Sequence, residues 1–284
     1  VGGLGNQLFQ LAAAAHVADQ RGRDLVVDVT EARLVHDRLG LLPLIEPLTT
    51  VDYGIPALPM AVNARQARWR QLRSLRRAAG PTLGTIDELE QFVDDGRYPQ
   101  VHMHGLFMSR ALASASCGVG RRYRPRLRNP SAWYLSMRER LDCEDPIAMH
   151  VRRGDYLSEP ERGVLTSSYY GRAIAEVWDG RRPIWAFSDD PQEASSFLGA
   201  VQGDPPIEFV TPPTEVAAAD SLTLLAQART IIACNSTFSW WAAFLSDAKV
   251  VIPRPFGLES LTWNDHQRDR MIDPAWTEAE AQYV

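Results

Sequence analysis

The residue types most suited to chemistry stand together in Met149-His150-Val151-Arg152-Arg153-Gly154-Asp155-Tyr156. The apolar residues 146–149 lead into this run and read as the end of a buried strand. The polar cluster is therefore expected on the loop at the strand's carboxyl end, where open α/β sheets bind ligands. Two adjacent guanidinium groups offer planar, permanently charged forks that match phosphate oxygens. The plainer reading of the same residues is an Arg–Asp ion pair that closes a loop.

A second constellation is Asn235-Ser236-Thr237-Phe238-Ser239-Trp240-Trp241. Hydroxyl residues at a strand-to-helix turn cap the helix, and the same turn directs free amides at a phosphate. Capping accounts for one hydroxyl. Asn235, Ser236, Thr237 and Ser239 together point to a diphosphate cradle, while at least one of the paired tryptophans is expected in the core. The third is Ser188-Asp189-Asp190, also at a strand end. A carboxylate there can accept the paired N–H groups of a guanine edge, cap a helix or hold a metal. Asp190 precedes Pro191 and suits the cap, which leaves Asp189 for a ligand. Asp-x-Asp is absent from the chain, so a metal-bound diphosphate is not signalled.

These loops need a scaffold. From residue 145 onward, apolar runs at 146–151, 183–187, 207–210, 230–234 and 249–252 alternate with helical patterns at 168–178, 191–198, 214–228 and from 240. Strand–helix alternation with short turns means a parallel, doubly wound sheet. Residues 258–284 are polar and helical at best. At the other end, Val1-Gly2-Gly3-Leu4-Gly5-Asn6-Gln7 opens a helical pattern and residues 24–29 read as a strand, a βαβ unit whose first strand would lie before Val1. The glycines there permit φ > 0 and close approach of a ligand. Gly3 and Gly5 match two positions of a dinucleotide fingerprint, with Asp28 as its ribose acid, but Leu8 stands at the third glycine. His102 and His104 alternate on one strand, residues 101–108, and lack a nearby third metal ligand. Residues 116–130 read as the connection between domains.

The chain has 284 residues, 45% hydrophobic and 23% charged, with a net charge of −5. That is a globular composition and argues against a nucleic-acid partner. Arg65, Arg68, Arg70, Arg73, Arg76 and Arg77 fall in a stretch without acids, interleaved with Trp69, Leu72 and Leu75. A basic amphipathic helix of this kind could lie on an anionic membrane, although a solvated face is the plainer expectation. Three scattered cysteines suggest a reducing compartment, and no apolar run reaches a membrane span. No signal peptide is visible, and the start at Val1 implies further residues upstream. The expectation is a cytoplasmic protein, peripheral to the inner membrane at most.

With these residues in view, the chain resembles the α-1,2-fucosyltransferases of glycosyltransferase family 11. The carriers are the runs from Gly2 to Gln10, from His150 to Tyr156 and from Asn235 to Trp241, in the family's order; residues 219–225, Ala-Asp-Ser-Leu-Thr-Leu-Leu, look familiar too. The resemblance implies a GT-B-like α/β enzyme of two Rossmann-like domains, residues 1–144 on the acceptor side and 145–284 binding the donor. It implies inverting transfer of fucose from GDP-fucose to the 2-hydroxyl of a β-galactoside, lipid-linked in one version, with no metal and no cofactor besides the donor. His150 and Asp189 would contact the guanosine, and Arg152 and Arg153 the diphosphate. Asn235, Ser236, Thr237, Phe238 and Ser239 would complete the pocket, with Gly3, Gly5 and Asn6 facing the sugar from the opposing domain. Arg152, Asn6 and Asp155 are the catalytic candidates. Asp155 suits a base and an orienting group for the arginines equally.

Overall fold

The computed structural model describes residues 3–28, 42–45, 49–51, 80–93, 96–158, 162–199, 206–258 and 269–284. Gly2 and the basic stretch with Arg65, Arg68, Arg70, Arg73, Arg76 and Arg77 lie outside them. The chain divides into two compact units, Val1–Pro125 and Arg126–Val284.

The amino-terminal unit is built on α1 (Leu4–Arg21), which buries Leu4, Gly5, Leu8, Phe9, Leu11 and a run of alanines. Small residues let α3 (Arg110–Cys117) pack closely against it. The helix stops at Gly22, whose φ of +59° suits glycine and whose N–H donates to the Ala18 carbonyl. The expected strand follows as β1 (Val26–Asp28), parallel to β2 (Thr49–Val51). The strand expected over residues 101–108 is far shorter: β4 (His102–Met103) pairs in parallel with β3 (Thr82–Leu83). Helix α2 (Ile86–Gln91) starts at a capping box formed by Thr85 and Glu88. Ala13, Leu83 and Phe107 form the buried cluster of this unit.

In the second unit six parallel strands run in the order β7-β6-β5-β8-β9-β10. They are β5 (Ile147–Val151), β6 (Ile184–Ser188), β7 (Ile207–Phe209), β8 (Thr230–Ile232), β9 (Lys249–Arg254) and β10 (Thr277–Glu280). The chain moves outward from β5 to β7, returns to the other side of β5 at β8, and continues outward to β10. The order therefore reverses between β5 and β8, the crevice where doubly wound sheets place ligands. Helices α4 (Ala132–Glu144), α5 (Ser167–Val177), α6 (Pro191–Leu198), α7 (Ala218–Ala226) and α8 (Thr237–Leu245) complete the unit. β5 is buried along its whole length, and its Ile147, Met149 and Val151 pack with Tyr169, Tyr170 and Ile174 of α5.

Two features differ from the sequence reading. The polar stretch 258–284 supplies β10, an edge strand on β9, and Leu165 then bridges antiparallel to Tyr283. Edge pairing is a backbone property, so a polar segment can provide it. The division at Pro125 and Arg126 falls inside the stretch 116–130 read as the connection, so that α4 belongs to the second unit and not to residues 1–144. The Ser131 N–H that begins this helix donates to buried Asp220 of α7 at 2.9 Å. Arg140 forks onto Glu208 at 2.8 and 2.9 Å and lies 5.0 Å over the ring of buried Trp185, whose indole N–H donates to Glu144. This network ties α4 to the sheet edge at β6 and β7. Arg140→Ala should lower unfolding free energy by about 1–2 kcal/mol, given exposed ion pairs and a cation–π contact of ordinary strength. The check is a urea titration, and an unchanged midpoint would mean that α4 does not depend on this anchor.

Candidate functional site

The loops after β5, β6 and β8 lie at the carboxyl ends of three neighbouring strands. Arg152 is held from several sides. Its Nη2 stands 2.7 Å from Asp155 Oδ1, and its Nε 3.0 Å from the same oxygen and 3.2 Å from Asp189 Oδ2. Its guanidinium carbon lies 5.4 Å from the centre of the Tyr156 ring. Nη1 takes part in none of these pairs and remains to donate.

Asp189 organises the loop. Its Oδ1 accepts the Arg153 backbone N–H at 3.0 Å while its Oδ2 faces Arg152. A Cβ on Gly154 would stand 2.3 Å from that Oδ2, so only glycine allows the carboxylate this close to the main chain. Asp189, expected to read a guanine edge, is here joined to the Arg152 loop by both carboxylate oxygens. Asp190 caps α6 as expected, its Oδ1 accepting the Glu193 N–H at 3.0 Å.

The two arginines occupy different surroundings, as adjacent residues at a strand end do. Arg153 is buried, pairs with Glu193 Oε1 at 3.0 Å and stacks on Phe197 at 4.1 Å. It joins the loop to α6, and its Nε is buried without a hydrogen-bond partner among the described residues.

The third loop is held mainly by its own polar groups. Ser236 caps α8 by accepting the Phe238 N–H at 3.2 Å. Ser239, fully buried, accepts the Cys234 N–H and donates within reach of the Cys234 and Ser236 carbonyls. The Asn235 side-chain amide donates to the carbonyls of Arg162 and Gly163 at 3.1 and 2.9 Å. Three of the four polar residues expected to cradle a phosphate thus fold the turn, while the backbone at the start of α8 keeps the orientation that suits an anion. Trp240 and Trp241 are both core.

Between the loops stand His150 and Phe238, with ring centroids 5.1 Å apart. His150 Nδ1 lies 3.1 Å from buried Cys234 Sγ. Burial, with the Arg152 charge adding to it, pushes the imidazole down to about 3, and burial pushes the Cys234 thiol up to about 12. Both are neutral near pH 7, so this is a hydrogen-bonded pair and not an ion pair. Cys234 and Glu193 were missed from sequence because each acts by contact with a motif residue and carries no spacing signal of its own, and Tyr156 was seen in the motif run without a role.

In the amino-terminal unit, Gly3, Gly5 and Asn6 lie at the start of α1. The positive φ that glycine permits is not used at Gly3 or Gly5. Gly3 has φ −70° with nothing within 4 Å of a Cβ, and Gly5 lies within the helix, buried.

His150 makes stability acid-sensitive. The unfolded chain takes up a proton on this side chain near its ordinary value of 6.5, whereas the folded chain resists until about 3. Stability from this source is present above pH 6.5 and lost as pH falls toward 3. His150→Gln should reduce the stability difference between pH 6.5 and 5 by about 1–2 kcal/mol, as measured by urea unfolding at both values. An equal difference in both proteins would show that His150 is not the titrating group.

Comparison with known proteins places this geometry. The model of glycosyl transferase family 11 matches residues 137–279. The O-antigen biosynthesis glycosyltransferase WbnK of Escherichia coli is 33% identical over 132 residues, 42% of each chain. An α-1,2-colitosyltransferase of Escherichia coli is 25% identical over 144 residues, 47% of this chain and 46% of that one. The chain thus spans less than half the length of these two relatives. A galactoside 2-α-L-fucosyltransferase of Caenorhabditis elegans is 23% identical over 252 residues, 86% of this chain and 67% of its own. Among solved structures, the fucosyltransferase NodZ from Bradyrhizobium aligns with a TM-score of 0.51 at 18% identity, over 86% of this chain and 90% of that one. The α/β fold is GT-B-like, and the chain belongs to glycosyl transferase family 11.

Proposed function

We propose that this chain transfers fucose from GDP-fucose to the 2-hydroxyl of a β-galactoside in a glycan, inverting the anomeric centre and using no metal ion. The observation that carries the reading is Arg152, held between Asp155 and Asp189 beside the switch point of a doubly wound sheet. Departure of GDP builds negative charge on the diphosphate as the sugar acquires oxocarbenium character. A guanidinium already fixed in orientation stabilises that charge without reorganising during the reaction. Asp155 and Asp189 are engaged with Arg152, which supports charge compensation by arginine in place of a carboxylate-bound cation. The same contacts favour an orienting role for Asp155 over that of a base. His150, neutral and beside Phe238, suits a nucleoside edge.

A second reading, transfer of a different sugar on the same scaffold, is favoured by the relative named an α-1,2-colitosyltransferase. Calorimetric titration with GDP, GDP-fucose and GDP-mannose in EDTA separates the two. GDP-fucose binding at least as tightly as GDP supports fucosyl transfer. GDP binding with neither sugar nucleotide favoured supports the second reading, and absence of guanine-nucleotide binding removes both.

Arg152→Ala should reduce turnover by about 10²–10³, the usual loss for one donor to a developing oxyanion. Near-normal turnover would refute the clamp. Asp189→Asn keeps the acceptor for the Arg153 N–H but removes the charge facing Arg152. It should lower turnover less than Arg152→Ala, with folding intact by circular dichroism. A loss equal to that of Arg152→Ala would instead assign Asp189 a direct part in the reaction.

A further inference from the structure

The ring of Tyr156 carries a second guanidinium. Arg162 lies with its guanidinium carbon 5.6 Å from the ring centre, against 5.4 Å for Arg152. Tyr156 itself is fixed, since its ring is buried and its hydroxyl donates to the Asn235 carbonyl at 3.2 Å. The backbone beneath Arg162 is fixed as well. Asn235 Nδ2 donates to the carbonyls of Arg162 and Gly163. Gly163, at φ +71°, packs where a Cβ would meet Leu258 at 2.6 Å and Tyr283 at 2.9 Å. Val164 exchanges both backbone hydrogen bonds with Val284. An exposed arginine head thus rises from an immobilised stretch of main chain, next to the arginine assigned to the diphosphate.

We propose that Arg162 is a second cationic contact for the diphosphate of the donor, with the Tyr156 ring as the shelf that spaces it from Arg152. The inference deepens the reading above and rests on it. A nucleoside diphosphate carries charge on two phosphorus centres, and one guanidinium with two carboxylates beside it leaves most of that charge uncompensated. Two guanidiniums placed against one rigid ring lose little freedom on binding and present donors to two sets of oxygens. The side-chain amide of Asn235, expected to touch phosphate, would then act one step removed, by holding the backbone of the residue that does.

The test is calorimetric titration of the full chain, its Arg162→Ala variant and its Arg162→Lys variant with GDP, GMP and guanosine. Arg162→Ala should weaken GDP about ten- to hundredfold, the span of a charged hydrogen bond. Guanosine affinity should be unchanged and the loss for GMP smaller. Arg162→Lys should recover part of the GDP affinity, and with GDP-fucose the alanine variant should raise KM more than it lowers kcat. Wild-type affinity for GDP in Arg162→Ala overturns the proposal. An equal loss for GDP and guanosine also overturns it, because that marks a structural role. A parent chain that binds none of the three sinks the GDP-sugar reading itself, a result distinct from either.

Discussion

A permanently charged guanidinium at the mouth of a parallel sheet must be compensated and oriented, and in this chain that constraint falls on one carboxylate. Asp189 accepts the Arg153 main-chain N–H with one oxygen and faces Arg152 with the other. Gly154 must lack a side chain for the carboxylate to reach so far. Asp155 then closes on the same guanidinium from its own loop. Held by two carboxylates on its Nε and Nη2, the Arg152 guanidinium is oriented before any ligand arrives. Both ion pairs are partly exposed and add little to stability. Their consequence is geometric, which suits a group whose work is done when charge develops in front of it.

The sheet order gives that geometry its location. The strands carrying the arginine loop and the hydroxyl loop, β5 and β8, are neighbours although two other strands of the sheet lie between them in sequence. The strand order reverses between them, which is where a doubly wound sheet opens a crevice at the carboxyl ends of its strands. The pair formed by His150 and Cys234 spans this same junction. It is apolar enough in character to sit among buried strands, yet polar enough to set the orientation of the imidazole. Beyond Asn235 the turn is satisfied by its own side chains, with Ser236 on one amide and Ser239 on another. A turn so internally bonded offers a preformed set of amides to a ligand at little cost in ordering.

Much of this was legible from residue patterns, for identifiable reasons. The buried strands read as apolar runs because both faces of a parallel sheet are covered. Helix α6 was placed at residues 191–198 because Asp190 and Pro191 mark its start by capping chemistry alone. Strand β10 was not legible, since Thr277, Glu278, Ala279 and Glu280 lack any apolar alternation and pair only because β9 presents an open edge. At the site, the motif loops were found, but the contacts within them were not legible. A serine that caps a helix and a serine that binds phosphate are the same letter at the same position. Arg152 and Arg153 are also the same letter, and only the alternation of side chains about the end of β5 separates the donor from the anchor.

Arg162 shows where motif reading stops. Nothing in its spacing distinguishes it from the many other arginines of a chain with a single lysine, Lys249. It becomes notable only through Asn235, which reaches across from the other loop to grip its carbonyl, and through Tyr156, which lies against both arginines. Each of these contacts joins residues that no local pattern links. The motif letters thus name the loops, while the hydrogen bonds that run between loops determine which charges the loops bring forward. In a site built from preorganised charge, that second layer decides how much of a diphosphate's developing charge can be met without rearrangement.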